Sequence, residues 1–561
     1  MSEQMIHKKA QRVRKTRLTN LILITGILIV ANVLGTNLFL RIDLSGRGIY
    51  SLSSASKEVV RSLDDRLTIK AYFSSDLPAQ AVGISRYVKD KLDDYQAYGR
   101  QKVHFEFVDP SSDEELEQEA LAFGIQPVRA QVVERDKVEY RLVYLALVFM
   151  YQDRTETIPF VQQTAGLEYD ITTAIRRVSQ ASLPVIGFLS GHGMAQPETD
   201  LQTWTGELER HYQIRTVSVD SFRSVPHDIE ALYIVGPVEG FNEWERYAID
   251  QFIMRGGRTA WLIDAVDADL QQSQQGMAQP MLLGMDSWLA YYGIRVRKAL
   301  VMDRSNYPIG VTSQRGMFRV QEQIPYPFFP VIRNYNKEHP MVKDMGDAVL
   351  FYASPIDTSF ARPDPASQAD VDTIHAWPAS PPRVTIEPIL YSSEISSVQE
   401  EFFFIQPNQA MGEGNFQGGP YALAATITGE FTSAFSSPPA VPDSVFLPVI
   451  ISGPVENRLV VVGDGTFARE QYVTADQSGA NITLLLNMAD WLFQDEALIS
   501  IRAKEVDHRP LKELPDTVRA LVKWMNILLP SAFAILAGLL WWRYRRRRGH
   551  ELAVVASESE E

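Results

Sequence analysis

Polar and apolar positions are arranged along this chain in several distinct ways, and each predicts a different element. Short alternating runs, Leu67 to Phe73 and Val103 to Val108, predict strands with one buried face. Recurrence at helical spacing, as in Ile84, Tyr87, Val88, Leu92 and Tyr95, predicts a helix over 84–98. Short unbroken apolar runs, Val185 to Leu189 and Ala231 to Val235, predict strands of a sheet covered on both faces. Two uncharged runs are longer, Leu18 to Leu40 and Trp524 to Trp542. As helices they would span about 34 and 28 Å, enough to cross a bilayer.

The charges beside the long runs predict their orientation. Lys8, Lys9, Arg12, Arg14, Lys15 and Arg17 precede the first, and Arg543 and Arg545 to Arg548 follow the second. Basic flanks stay in the cytoplasm, and Trp524, Trp541 and Trp542 stand where interfacial anchors belong. The expectation is a protein of the inner membrane with two spans in the lipid bilayer. Its large middle region would lie in the periplasm or at the cell exterior. The expected divisions are a basic tail (1–17), a span (18–40), a first domain (41–180), a second domain (181–505), a linker (506–523), a span (524–542) and a closing tail (543–561).

Within the first domain a short helix is expected at Ser53 to Ser62, with Ser53 or Ser54 as its N-cap. A helix at Asp113 to Phe123 ends at Gly124. Strands are expected at Gln131 to Val133 and Tyr140 to Met150. The resulting β-α-β-α-β-β order is the thioredoxin-like plan. From Leu183 onward, short apolar strands alternate with helices at 201–212 and 242–254, which implies parallel pairing through right-handed crossovers. That is the pattern of a flavodoxin-like or glutamine-amidotransferase-like sheet. A Pro- and aromatic-rich stretch at about 296–450 interrupts it and reads as a β-rich insertion. Arg458 to Gly463 then resumes the sheet, and an amphipathic helix follows at 481–493. The fold class expected is therefore α/β, two such domains flanked by two transmembrane helices.

The formal net charge of -15 argues against nucleic acid as a partner. The chain has no cysteine, which excludes thiol catalysis, disulfides and the catalytic thiol of true amidotransferases. No G-x-x-x-x-G-K-[ST] string occurs, so no P-loop is present to bind and hydrolyse ATP. No H-E-x-x-H pair or G-x-S-x-G elbow occurs either. Neither an enzyme activity nor a cofactor is expected. The candidate ligand-binding residues sit at strand ends: Gly191, His192 and Gly193 after one strand, Asp264 after another, and Asp464 in a Gly-Asp-Gly-Thr turn. Each has two readings. The first three form a backbone nest with a poised His, or a glycine-permitted turn with a hydrogen-bonded His. Asp264 and Asp464 are ligand groups, or carboxylates that hold turns. A hydrolase using His192 and Asp264 is a further reading of the same residues.

Several strings in order resemble the GldG family, the auxiliary component of ABC transport systems linked to gliding motility. They are Asp43-Leu44-Ser45 with Tyr50-Ser51-Leu52-Ser53, then Ile186 to Gly193, Ala231 to Asp264, Gly419 to Leu423, and Leu459 to Phe467 with Asn481 to Leu492. Met194 stands where the family usually has Glu after G-H-G. The resemblance implies an ABC-2-like permease and a separate cytoplasmic ATPase as partners. It also implies an auxiliary, non-ATPase role that couples movement or handles substrate. The alternative is an extracytoplasmic carbohydrate- or peptide-binding protein without transporter partners.

Overall fold

The computed structural model describes residues 23–27 and residues 51–501 apart from positions 135–136, 165, 181, 221–222, 271–275, 316–317, 344, 359–382, 408–412, 436, 441–455, 474–478, 495–498 and 500. Beyond these it describes 523, 525, 528, 533, 535–543 and 546. The chain divides into two compact units, Met1–Val506 and Asp507–Glu561. In the second unit, residues 535–543 are helical and exposed.

The first unit begins with helix α1 (Ser54–Arg61), strand β1 (Leu67–Phe73), helix α2 (Ala79–Tyr98), strand β2 (Val103–Val108) and helix α3 (Glu114–Ala122). Then come β3 (Val128–Glu134), β4 (Lys137–Val143), β5 (Leu145–Tyr151), β6 (Arg154–Ile158) and α4 (Leu167–Ser179). Ser53 caps α1, its hydroxyl accepting from the Ser56 N–H at 3.0 Å. The sheet order is β2-β1-β5-β6, with β1 and β2 parallel and β5 antiparallel to both of its neighbours. Alternation along β1 puts Leu67, Ile69, Ala71 and Phe73 in one core cluster and Tyr72 in another, so the sheet is covered on both faces.

The expected strand over 140–150 is two strands. Tyr144 exchanges bonds with Ser74, its N–H donating to Ser74 Oγ at 2.9 Å and its carbonyl accepting from the Ser74 N–H at 3.2 Å. β4 therefore leaves the sheet and pairs only with β3 in a separate hairpin, while β5 pairs with β1.

The second half is built on β7 (Val185–Leu189), α5 (Gln202–Leu208), β8 (Gln213–Val217), β9 (Ala231–Val235), α6 (Glu243–Met254) and β10 (Arg258–Leu262). Later come β11 (Asn334–Tyr335), β12 (Arg383–Tyr391), β13 (Ala422–Glu430), β14 (Glu456–Val462) and α7 (Ala480–Leu492). These strands form one sheet in the order β11-β12-β13-β14-β10-β9-β7-β8. The run from β14 to β8 is parallel. The unbroken apolar strands follow from this, because alternate residues face opposite cores. Phe188, Tyr233 and Leu262 enter one cluster; Leu189, Ile234 and Trp261 enter the other. Under α5, Trp204 meets Phe188 and Tyr233 edge to face at 5.3 and 5.4 Å between ring centres. A capping box starts α6: the Asn242 side chain accepts from the Glu245 N–H, and Glu245 Oε2 accepts from the Asn242 N–H.

Three features correct the expected fold class. The large sheet is mixed: β11, β12 and β13 come from the region read as an insertion, yet they extend the sheet antiparallel from β14. Small sheets surround it, including a long hairpin of Asn306–Arg315 with Phe318–Ile332. The protein is thus a mixed α/β structure with many small sheets. Finally, no helix among the described residues is long and apolar enough to cross a membrane. That corrects both the two expected transmembrane helices and the inner-membrane placement drawn from them. Most of 18–40 and part of 524–542 lie outside the described residues.

Candidate functional site

All the residues singled out at strand ends lie along one edge of the large sheet. β7 runs into Gly191, His192 and Gly193, β10 into Asp264, and β14 into Gly463, Asp464 and Gly465. In open α/β sheets, ligands bind outside the carboxyl ends of strands where the winding reverses. Here that point lies between β7 and β9, since the chain places β8 on one side of β7 and β9 on the other.

The protein's own backbone fills that point. The Ala195 N–H donates to the Val235 carbonyl at 3.1 Å, and the His192 carbonyl accepts from the N–H groups of Val238 and Glu239 at 2.9 and 3.2 Å. Gly191, His192 and Gly193 are all left-handed, with φ of 96°, 51° and 67°. His192 is the strained member, because a side chain is disfavoured there. A β-carbon on Gly193 would come within 2.1 Å of Val238 Cγ2, so a side chain there would force Val238 aside in addition to the cost of its positive φ. His192 Nε2 lies 3.2 Å from Glu245 Oε2, and its ring packs on Phe241 at 4.4 Å. Its Nδ1 is buried without a hydrogen-bond partner among the described residues. The His thus links the switch-point loop to the capped end of α6. Ser190 Oγ donates to the Val217 carbonyl at 3.1 Å, which removes it as a free hydroxyl.

Asp264 and Asp464 end neighbouring parallel strands, because Leu262 pairs with Val462. Asp464 is fully buried and accepts three backbone N–H groups: Phe351 at 2.5 Å, Thr466 at 2.8 Å and Phe467 at 3.0 Å. Asp264 accepts from the Gly465 N–H at 2.7 Å and from Thr466 Oγ1 at 3.3 Å. Burial raises the pKa of both, and the Asp264 charge adds to the rise at Asp464. The N–H donors oppose the rise at both carboxyls, and Arg469 opposes it at Asp264.

The backbones here are in contact: a β-carbon on Gly465 would stand 2.7 Å from Gly236 Cα and 2.8 Å from the Leu262 carbonyl. A cavity lined in part by Asp264, Met285 and Lys298 measures about 20 Å³, room for about one water.

The structure therefore brings Asp264 and Asp464 together with Gly236, Thr466 and Arg469. It leaves His192 two strands away, about 9–10 Å laterally. A Ser–His–Asp arrangement is not assembled among the described residues, and Asp464 is buried against backbone N–H groups. Gly236 and Arg469 escaped the sequence reading. Gly236 had a signal, the glycine directly after an apolar strand; Arg469 had none.

Residues 183–488 match the family described as an ABC-type uncharacterized transport system, and residues 47–150 match a domain of unknown function. An uncharacterized protein of Borreliella burgdorferi is 19% identical over 520 residues, covering 91% of this chain and 93% of that one. Among solved structures, the mmIFT52 N-terminal domain aligns with a TM-score of 0.30 and 11% identity, covering 55% of this chain and 97% of that domain.

Proposed function

The chain belongs to the ABC-type uncharacterized transport system family, an auxiliary component of such systems, and from that premise we propose that it is the subunit without ATPase chemistry. Its partners in this reading are an ABC-2-like permease and a separate ATPase, as in GldG-type systems. Its contribution is to couple their movement or to handle the substrate. The observation that carries the reading is the extent of the match. Residues 183–488 run from just before β7 into α7 and so include every strand of the large mixed sheet.

Two further points support it. The sequence has no phosphate-cradling P-loop, so hydrolysis must come from another chain. The polar residues at the carboxyl edge of the sheet are engaged with the chain's own backbone, which suits a body that transmits force and not one that performs acid–base chemistry. Affinity capture of the tagged full-length chain from its native host, in mild detergent, tests the partnership. A P-loop ATPase and a permease should be recovered together in constant ratio. Recovery of the chain without either would overturn it.

A further inference from the structure

The edge of the large sheet opposite the strand-end loops holds the larger opening. A cavity of about 200 Å³ lies beside the amino ends of β7, β9 and β10. Its walls include Arg176 and Arg177 from the last turn of α4, Arg258 at the start of β10, Glu230, Leu183 and Phe493. Three guanidinium groups thus share the cavity with one carboxylate.

The surroundings treat the three guanidinium groups differently. The last carbonyls of α4 would repel an anion, but Arg154 covers them, donating to the carbonyls of Ser179 (3.1 Å) and Gln180. Arg177 is paired with Glu156 at 3.0 Å. Arg258 is different. Its side chain is only 24% exposed, and its guanidinium lies over the Phe493 ring at 5.4 Å. Stacking occupies the face of the guanidinium and leaves the N–H groups at its edge. Among the described residues none of those N–H groups has an acceptor. The Glu230 carboxylate is 3.9 Å away, beyond hydrogen-bond distance. Burial lowers the pKa of Arg258; the Glu230 charge opposes this, and Arg458, on the neighbouring strand where Thr259 pairs with Leu459, adds to it. A half-buried cation with unused donors, next to a second cation, is costly unless an anion completes it.

We propose that this cavity binds a small oxyanion, a phosphate or carboxylate group held by the edge of the Arg258 guanidinium with Arg176 and Arg177 adding charge. The cavity's volume of about 200 Å³ is below the roughly 300 Å³ at which drug-sized ligand sites begin. The occupant is therefore the size of inorganic phosphate or a short dicarboxylate, not a nucleotide. This goes beyond the transport reading and does not depend on it.

The test uses the full-length protein at fixed ionic strength set with chloride. Its melting temperature is followed while inorganic phosphate, or in a separate series succinate, replaces the chloride. A saturable rise with at least one of the two is expected, and the better one identifies the oxyanion class. Arg258→Gln should move the midpoint of that rise about tenfold or more to higher concentration, as expected for loss of a charge-assisted bond. Should Arg258→Gln fail to fold, Arg176→Gln, on a helix and away from the sheet, takes its place with the same direction of shift. No saturable rise with either anion, or the same midpoint in the variant as in the wild type, overturns the proposal.

Discussion

Replacing Lys91 by Met is expected to lower the unfolding free energy by about 3–5 kcal/mol, the usual penalty for leaving one partner of a buried ion pair alone. Lys91 Nζ on α2 lies 3.1 Å from Glu168 Oε2 on α4, with the two side chains 3% and 4% exposed. The other carboxylate oxygen, Oε1, accepts from the Ser53 N–H at 2.6 Å and from Ser56 Oγ at 2.8 Å. Thr172 Oγ1 joins the same group, 2.9 Å from Ser56 Oγ and 2.6 Å from the Tyr95 hydroxyl. One carboxylate therefore fastens α1, α2 and α4 to each other over the first sheet. Without the ammonium, Glu168 loses the charge that faces it at 3.1 Å in a buried site. Adding Glu168→Gln to Lys91→Met should recover part of the loss. A denaturant melt of the two single variants and the double variant measures the coupling. A cost below about 1 kcal/mol for Lys91→Met would show that the pair is solvated like a surface ion pair.

Asp464→Ala is expected to be of similar size, about 3–6 kcal/mol, because it strands three buried N–H groups at about 1–3 kcal/mol each, less whatever the loop regains by shifting. The residues it releases, Phe351, Thr466 and Phe467, lie in two separate segments, so the loss should appear as one cooperative destabilisation. A pH dependence accompanies it. Burial and the Asp264 charge raise the Asp464 pKa above the ordinary 3.8, so the folded protein holds this proton more tightly than the unfolded chain does. The contribution of this group to stability is then fully present below the unfolded value. It declines as pH rises through the folded value. Asp464→Asn cannot titrate, so the difference in stability between wild type and Asp464→Asn should shift against the wild type as pH increases from about 4. A difference that stays constant with pH would mean that the three N–H donors outweigh burial and keep the carboxylate ionised throughout.

How much of this was legible in the sequence depends on how far each element's partner lies along the chain. Val185–Leu189, Ala231–Val235 and the β14 strand declare themselves, because a strand covered on both faces needs an unbroken apolar run. The α6 boundary is also local: Asn242 and Glu245 cap each other across three residues. In contrast, β12 contains Glu387 and Pro388, and its register shifts at that proline, so nothing nearby marks it as part of the main sheet. Only its pairing with β13, itself bound to β14, places it there. The split at Tyr144 has the same origin, since Ser74 decides it from 70 residues away.

The candidate site follows the same rule. That strand-end residues such as Asp264 and Asp464 fall along one sheet edge is readable from the strand pattern. Whether Asp464 holds a ligand or a loop is not, because the answer is the N–H of Phe351, 113 residues earlier. The cavity at the opposite edge depends on Arg176, Arg177 and Arg258 meeting across the fold. Its only sequence signal is a pair of adjacent arginines closing a helix.

The central claim is that this chain works in an ABC-type transport assembly without supplying the chemistry that drives it. The most direct measurement is ATP hydrolysis by the purified full-length chain alone and by the assembly captured with it. The account predicts no hydrolysis by the chain alone. It predicts hydrolysis by the assembly that disappears when the P-loop lysine of the partner ATPase is replaced. Hydrolysis by the isolated chain, or by an assembly whose partner ATPase has lost that lysine, would contradict it.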